Sequence, residues 1–187
     1  MFEATNGVNM GNIGQLVEAV KADKGLGKVR FFAESQWKNG TKTEVSISKI
    51  TAGGQNIARP DRQFTLTVDE PPQLGGTDEA PNPVEYLAAG LCGCLTAGIA
   101  TNAALFNTKL QGIEVSVELD CDINGVLGLD DAVPNGCNRL HYTVKLTGSD
   151  GEEKMIASKE VLDRKSPVLN TLVNTLNATT KAMAEMG

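Results

Sequence analysis

The sequence has few of the residues that several common functions require. Aromatic residues make up 4% of its 187 positions, histidine occurs once, and 17 Lys and Arg are outnumbered by 23 Asp and Glu. The resulting net charge of −6 repels a phosphate backbone, so we expect no nucleic-acid binding. Apolar residues at 41% and charged residues at 21% are typical of a globular chain. Small-molecule chemistry or protein contacts are the functions that remain.

Long apolar runs are also scarce. Residues 86–107 carry no charge and have the length of a bilayer span, but their glycines, threonines and asparagines favour a buried helix of a globular protein. The first seven residues lack the basic and apolar regions of a signal peptide. We therefore expect no membrane association and a cytoplasmic location.

Four cysteines and one histidine limit the side-chain chemistry. Structural disulfides are not expected in a reducing cytoplasm, and no CxxC pair supports a zinc site. No glycine pattern for a phosphate cradle occurs, so we expect neither metal nor cofactor. His141 falls on the polar face of its strand, which leaves a Cys–His hydrolase unsupported. Cys121 is expected to pack in the core, and Cys137 to be exposed at the start of a strand.

The periodicity of the apolar residues predicts one α+β domain. Asn82 and Pro83 suit the cap and first turn of a long helix, which is apolar on nearly every face, as a central buried helix would be. Asn39-Gly40 predicts a hairpin turn. The predicted helices cover residues 12–24, 83–106, 152–162 and 166–176, and the clearest strands cover 29–38, 64–68, 113–123 and 140–146. We assign residues 1–27 to an N-terminal helical extension and residues 28–187 to the main domain.

Cys92 and Cys94 lie inside the long predicted helix. Positions two apart on a helix point about 200° apart, so a disulfide between them would require the helix to unwind locally. From the residues alone, each cysteine is either a small hydrophobic core residue or a reactive thiol.

Two segments resemble the signature of the OsmC/Ohr family. The first is DEPPQLGG at 69–76 followed by PNPVEYLAAGLCGCL at 81–95, and the second is SPVLNTL at 166–172. The resemblance covers about residues 28–176. It implies an OsmC-like fold, with antiparallel sheets packed around a long central buried helix, in a homodimer whose chains intertwine. Small residues would let the two central helices approach closely, namely Ala89, Gly90, Gly93, Ala97 and Gly98.

The resemblance also implies peroxide chemistry. In family members with known activity, one cysteine attacks an organic hydroperoxide and becomes a sulfenic acid. A second, resolving cysteine condenses with it to a disulfide, which an external dithiol then reduces. Cys94 matches the attacking cysteine. Ser166 stands at the position of the resolving cysteine and cannot form a disulfide; capping the helix that begins at Pro167 accounts for it.

Two further positions depart from the hydroperoxide-specific branch. Val84 stands where that branch has a glutamate, and the adjacent Glu85 lies nine residues before Cys94, about 180° around a straight helix. Glu85 could act on Cys94 only through a kink or across the dimer, or it could simply favour the helix dipole. The arginine of that branch is also absent after the first strand. The cation that activates Cys94 stays open among Lys38, Lys42, Arg59, Arg62 and Arg164.

Three functions therefore compete. The first is thiol-dependent reduction of organic hydroperoxides through Cys94, in defence against oxidative stress, with recycling by Cys92 or directly by an external thiol. The second is a binding protein in which Cys94 lines a dimer-interface pocket for a small apolar or thiol-bearing ligand. The third is a sulfur-handling enzyme in which Cys94 carries a persulfide.

Overall fold

The protein is described from a computed structural model that covers residues 5–184. Its helices are α1 (Met10–Ala22), α2 (Pro83–Leu105), α3 (Ile123–Val126), α4 (Glu152–Lys165) and α5 (Pro167–Val173). Its strands are β1 (Val29–Phe31), β2 (Glu34–Asn39), β3 (Lys42–Ile47), β4 (Ile50–Ala52), β5 (Gln55–Asn56), β6 (Phe64–Val68), β7 (Leu110–Cys121) and β8 (Cys137–Gly148). They form the sheets β1-β4-β5, β2-β3-β6 and β7-β8, all antiparallel, which confirms the α+β class.

The long helix α2 starts where the sequence predicts. The Asn82 side chain accepts the Glu85 N–H at 2.9 Å, while the Glu85 carboxylate accepts the Asn82 N–H at 2.8 Å. This capping box satisfies two backbone donors that a helix start otherwise leaves free. By length and composition α2 could cross a membrane. In this chain one of its faces instead packs against β7 and α4.

The core lies between α2 and the β7-β8 hairpin. Leu91, Leu95 and Ile99 are fully buried and recur every four residues, so they form one stripe along α2. Leu162 of α4 and Leu169 of α5 complete the buried cluster. Full burial of each such side chain is worth roughly 1.5–3 kcal/mol, so this stripe fixes how α2 is rotated about its axis.

The outer face of the β7-β8 hairpin carries charges of both signs. Glu114 pairs with Lys145 and Asp120 pairs with Arg139 across the two strands. His141 is exposed on this face, as the sequence indicates. Exposed ion pairs of this kind contribute little to the free energy of unfolding, and this face of the hairpin is exposed to solvent.

The first predicted hairpin differs from the one observed. Residues 29–38 form two strands instead of one, because the chain passes from the β1-β4-β5 sheet to the β2-β3-β6 sheet at Phe32-Ala33. The predicted turn at Asn39-Gly40 is confirmed, and Gly40 adopts a φ of 55° that favours glycine.

The prediction that the chain contains no structural disulfide is wrong. Cys121 and Cys137 are joined by a disulfide, and Cys121 is half-buried beside it instead of packing in the core. The two residues are partners in the β7-β8 register, so the ladder brings their side chains together at its end. The sequence indicates both strands but not this register. The disulfide also removes the argument for the cytoplasm that rested on cysteine usage.

α2 is buried on one side of this chain, not on every face. Ala89, Gly90, Gly93 and Ala97 are exposed, and a Cβ at Gly90 or Gly93 would meet no atom within 4 Å. Gly98 is different, because a Cβ there would clash with the Leu162 side chain. Gly98 therefore makes room for α4 in the same chain, which corrects its assignment to a contact between two central helices.

The N-terminal extension touches the main domain through Asn6. Its side-chain amide donates to the Thr108 carbonyl and accepts the Leu110 N–H, both at 2.9 Å. The helix α1 that follows has no buried residue. The boundary at residues 27 and 28 stays a prediction.

A buried carboxylate organises the proline-rich loop before α2. Asp69 is 1% exposed and accepts hydroxyl hydrogen bonds from Thr41 and Thr77, both at 2.6 Å. It also accepts the backbone N–H groups of Glu70 and Thr77. These bonds hold the pKa of Asp69 well below its usual range, the Thr41 hydroxyl first among them. Asp69 thereby ties the loop to the start of β3.

We predict that Asp69→Asn lowers the melting temperature by several degrees at pH 7. An amide presents N–H groups where the carboxylate accepts hydrogen bonds, so at least one backbone N–H, that of Glu70 or that of Thr77, loses its acceptor. Because the pKa of Asp69 is lowered in the folded state, its stabilisation is fully present above about pH 4 and is lost as the pH falls further. The difference between wild type and variant should therefore shrink on acidification, as followed by circular dichroism.

Glu70→Gln is the matched control, since Glu70 gives this network only its backbone N–H. Equal melting temperatures for wild type and Asp69→Asn at pH 7 would contradict the assignment.

Candidate functional site

Cys94 and Ser166 are 72 residues apart in sequence and in contact in the structure. The Cys94 Sγ lies 3.2 Å from the Ser166 Oγ. Cys94 is half-buried on α2, one residue before Leu95 of the core stripe, while Ser166 is fully buried between α4 and α5. The fold thus brings together the two positions that the sequence singles out for sulfur chemistry.

The hydrogen bonds of Ser166 determine what its hydroxyl offers to the sulfur. Its Oγ accepts the Leu169 N–H at 3.2 Å as the N-cap of α5, which confirms the predicted cap. This bond occupies an acceptor site and leaves the single hydroxyl hydrogen available. Donated to Cys94, that hydrogen favours a negatively charged sulfur or its oxidised form, because charge-assisted hydrogen bonds are the stronger ones.

Cys92 lies on a different side of α2. Its thiol donates to the Val115 carbonyl of β7 at a distance of 3.7 Å. Within one chain, a bond from Cys92 to Cys94 would therefore require α2 to unwind, as the sequence indicates. A resolving role for Cys92 across two copies of α2 stays a prediction.

Glu85 is not brought to Cys94 within the chain. Its carboxylate is engaged in the capping box with Asn82, at the exposed start of α2. Nine residues separate it from Cys94, which corresponds to about 13.5 Å along the helix axis. A catalytic role for Glu85 would have to operate across a dimer, and it also stays a prediction.

Comparison with known proteins identifies the family of the chain. Residues 76–181 match the family model of OsmC-like proteins. The chain belongs to the OsmC-like family. No curated protein matches its sequence significantly.

Solved structures share the fold of this OsmC-like protein at low sequence identity. An OsmC-like protein from Mycoplasma pneumoniae is 14% identical with a TM-score of 0.59, over 76% of this chain and 86% of that one. A Legionella pneumophila protein described as the organic hydroperoxide resistance protein OsmC is 20% identical with a TM-score of 0.52, over 77% and 89% of the two chains. At these identities the similarity shows the OsmC fold.

The five candidate activating cations of this OsmC-like protein have different surroundings. Lys38, Lys42 and Arg59 pair with Glu44, Glu79 and Asp61, and Arg62 lies over the Phe64 ring. Arg164 forms no ion pair within residues 5–184, is exposed, and lies two residues before Ser166. Arg164 also lies two residues after the buried Leu162, about 200° around α4, so its position does not direct it towards Cys94, and the choice among the five cations stays open.

A polar network beside the core was not predicted from the sequence. The Tyr142 hydroxyl donates to Asp163 at 2.6 Å, and Lys159 pairs with the same carboxylate at 2.6 Å. Burial and the hydrogen bond to the charged Asp163 raise the pKa of Tyr142 to about 12, so Tyr142 stays protonated as a donor. Tyr142 and Lys159 line a cleft of about 640 Å³ between β8 and α4. Tyr142 and Asp163 lie 21 residues apart on separate elements, so no local motif marks the pair.

Metal ligands are not grouped in the part of the chain that the structure describes. Residues 5–184 contain no cluster of three His, Cys, Asp or Glu side chains arranged to hold an ion.

We predict that Ser166→Cys forms a disulfide with Cys94 on mild oxidation. The wild-type oxygen is already 3.2 Å from the Cys94 sulfur, and a sulfur in its place needs only a small side-chain rotation to reach bonding distance. Thiol titration of the oxidised, unfolded variant should find one free thiol, that of Cys92.

The control is Ser158→Cys, because Ser158 is equally buried but bonds to the Lys154 carbonyl on α4. This variant should keep three free thiols under the same oxidation. Three free thiols in oxidised Ser166→Cys would show that the contact does not exist in solution.

Proposed function

We propose that this OsmC-like protein reduces organic hydroperoxides through Cys94 with an external thiol as reductant. The proposal depends on the contact between Cys94 and Ser166, since a fully buried hydroxyl lies at the sulfur where the family pattern has the resolving cysteine. The name of the Legionella pneumophila neighbour, an organic hydroperoxide resistance protein, supports the substrate class.

The first step is attack of the Cys94 thiolate on one peroxide oxygen. The O–O bond breaks, the substrate leaves as an alcohol after taking up a proton, and Cys94 becomes a sulfenic acid. The peroxide gains two electrons and the sulfur loses two. The Ser166 O–H hydrogen bond then favours charge on the oxidised group, as it does on the thiolate.

The second half of the cycle requires an external thiol. Ser166 offers no sulfur, and the Cys92 thiol is turned towards β7. The sulfenic acid therefore condenses with an external thiol, releasing water and forming a mixed disulfide. A second thiol attacks that disulfide and restores Cys94. A small dithiol supplies both sulfurs and leaves as its own disulfide.

We also propose that the protein works as a homodimer. The exposed small residues of α2 leave a shallow apolar face on its longest helix, with open space over Gly90 and Gly93. The β1 and β2 strands also expose large apolar side chains, with Phe31 at 75% and Trp37 at 74%. A second copy of the chain would cover the open face of α2 and these exposed apolar side chains.

A cytoplasmic location is part of the same proposal. The required thiol reductants are abundant in the cytoplasm, which supports this location. The state of the Cys121–Cys137 disulfide in cells tests this location. In the cytoplasm, thiols that reach the disulfide would reduce it, and thiol trapping of protein taken from cells would then find both cysteines free.

We predict that purified protein consumes cumene hydroperoxide in the presence of dithiothreitol, and that Cys94→Ser abolishes this turnover. Cys92→Ser is the matched control, because it removes a thiol two residues away that bonds to β7. It should keep at least about half of the activity, since its hydrogen bond is a weak one. Peroxide consumption in a coupled or colorimetric assay and the intact mass of each variant are the measurements.

Activity that survives in Cys94→Ser would contradict the proposal. Absence of both turnover and a mass change in the wild type would also contradict it, and would favour a ligand-binding role for the same pocket. Loss of activity in Cys92→Ser with a trapped sulfenic acid at Cys94 would instead assign recycling to Cys92.

We predict that Gly93→Leu weakens the dimer without disturbing the chain itself. A Cβ at Gly93 meets nothing within 4 Å, and a leucine in a helix interior is favourable by about 0.8 kcal/mol relative to glycine. Only a second copy of α2 would therefore be obstructed. Sedimentation velocity should show a dimer for wild type and a shift towards monomer for the variant.

Gly14→Leu in α1 is the control, because a Cβ there also meets nothing and the position is outside the proposed interface. A wild type that sediments as a compact monomer at micromolar concentration would refute the dimer. An unchanged dimer in Gly93→Leu would refute the proposed α2 contact.

A further inference from the structure

A cleft on the β1-β4-β5 sheet is lined by several basic side chains. It measures about 540 Å³ and is lined by Lys28, Arg30 and Lys49, with no carboxylate among its lining residues. The chain as a whole carries a net charge of −6. A local excess of three cations is therefore a property of this cleft and not of the general surface.

The strand register explains how the three cations converge. Lys28 directly precedes β1 and lies two residues before Arg30, so their side chains project on the same face. Arg30 lies opposite Thr51 of β4 in the ladder. Lys49 directly precedes β4, and its Nζ lies 4.7 Å from the centroid of the Phe32 ring. The aromatic ring thus holds the third cation at the same side of the sheet.

These cations have no carboxylate partner within residues 5–184. Elsewhere in this part of the chain, surface lysines such as Lys38, Lys42 and Lys145 each pair with a glutamate. Like charges on neighbouring strands repel one another and lower stability. A bound anion would offset these charges, and no ion pair within residues 5–184 does so.

The backbone beside the cations is also open. Gly53 and Gly54 form the turn between β4 and β5 with φ values of 56° and 85°. A Cβ at Gly54 would meet no atom within 4 Å, so a ligand can approach the chain closely there. The Arg30 guanidinium offers two parallel N–H donors, which match the oxygen atoms of a phosphate group.

We propose that this cleft binds a small molecule that carries phosphate. A doubly charged tetrahedral group suits three converging cations better than a single carboxylate, since each additional oxygen and charge engages another donor. No hydrogen bond or ion pair of the described residues links the cleft to Cys94 or Ser166. The proposal therefore holds independently of the peroxide chemistry.

Isothermal titration of the full chain with pyrophosphate in low-salt buffer tests the proposal. Wild type should bind with a measurable heat, and Arg30→Gln and Lys49→Gln should each weaken binding about tenfold, as expected for loss of one charged hydrogen bond. Lys145→Gln is the matched control, since it removes the same charge from a lysine that pairs with Glu114. It should leave the affinity within about a factor of two.

Circular dichroism confirms that each variant is folded. Absence of binding by wild type would overturn the proposal, as would an equal loss of affinity in Lys145→Gln. A parallel arm uses vesicles that contain phosphatidylglycerol. Binding to these vesicles without binding of pyrophosphate would assign the cleft to an anionic lipid surface and overturn the small-molecule ligand.

Discussion

The burial of one leucine-rich stripe of α2 against the β7-β8 hairpin is the constraint on which the site depends. Leu91, Leu95 and Ile99 can be buried together only in one rotation of the helix, because successive residues turn by about 100°. That rotation places Cys92 and Cys94 on opposite flanks of the stripe. Cys92 is then directed to β7 and Cys94 to Ser166. The same rotation turns Gly93 about 200° away from Leu91, onto the exposed face.

Residue 166 carries a hydroxyl in contact with Cys94, at the position where the family resemblance implies a second thiol. The Ser166 Oγ caps α5 by accepting the Leu169 N–H, and the same atom contacts the Cys94 sulfur. A cysteine at this position is predicted to close a disulfide with Cys94, whereas a serine can only form a hydrogen bond with it. The sulfur of Cys94 is thereby left available to partners from outside the chain.

The glycines of α2 show why composition alone does not reveal how a helix is packed. Gly90, Gly93 and Gly98 look equivalent in the sequence, as small residues on an apolar helix. In the fold Gly98 accommodates Leu162 of α4, while Gly90 and Gly93 face open space. The difference arises because α4 packs along the C-terminal half of α2, where Ser158 contacts Asn102 and Leu162 contacts Gly98, and leaves Gly90 and Gly93 uncovered. A pattern of small residues indicates that something approaches closely, but not which element does so.

Local features of this protein could be predicted from its sequence. The Asn82 cap, the start of α2 at Pro83, the Ser166 cap of α5 and the turn at Asn39-Gly40 each depend on residues within a few positions of one another. The family resemblance predicted the OsmC fold and singled out Cys94 and Ser166.

Contacts between distant residues required the tertiary structure. The Cys121–Cys137 disulfide depends on the exact β7-β8 register, and the Tyr142–Asp163 bond depends on how α4 crosses β8. The break between β1 and β2 arises because β1 pairs with β4 in one sheet and β2 pairs with β3 in another. Hydrogen-bond caps and turns are determined by local backbone geometry, which the sequence encodes directly. Strand register and helix crossing are determined by packing across the whole domain, which only the folded chain establishes.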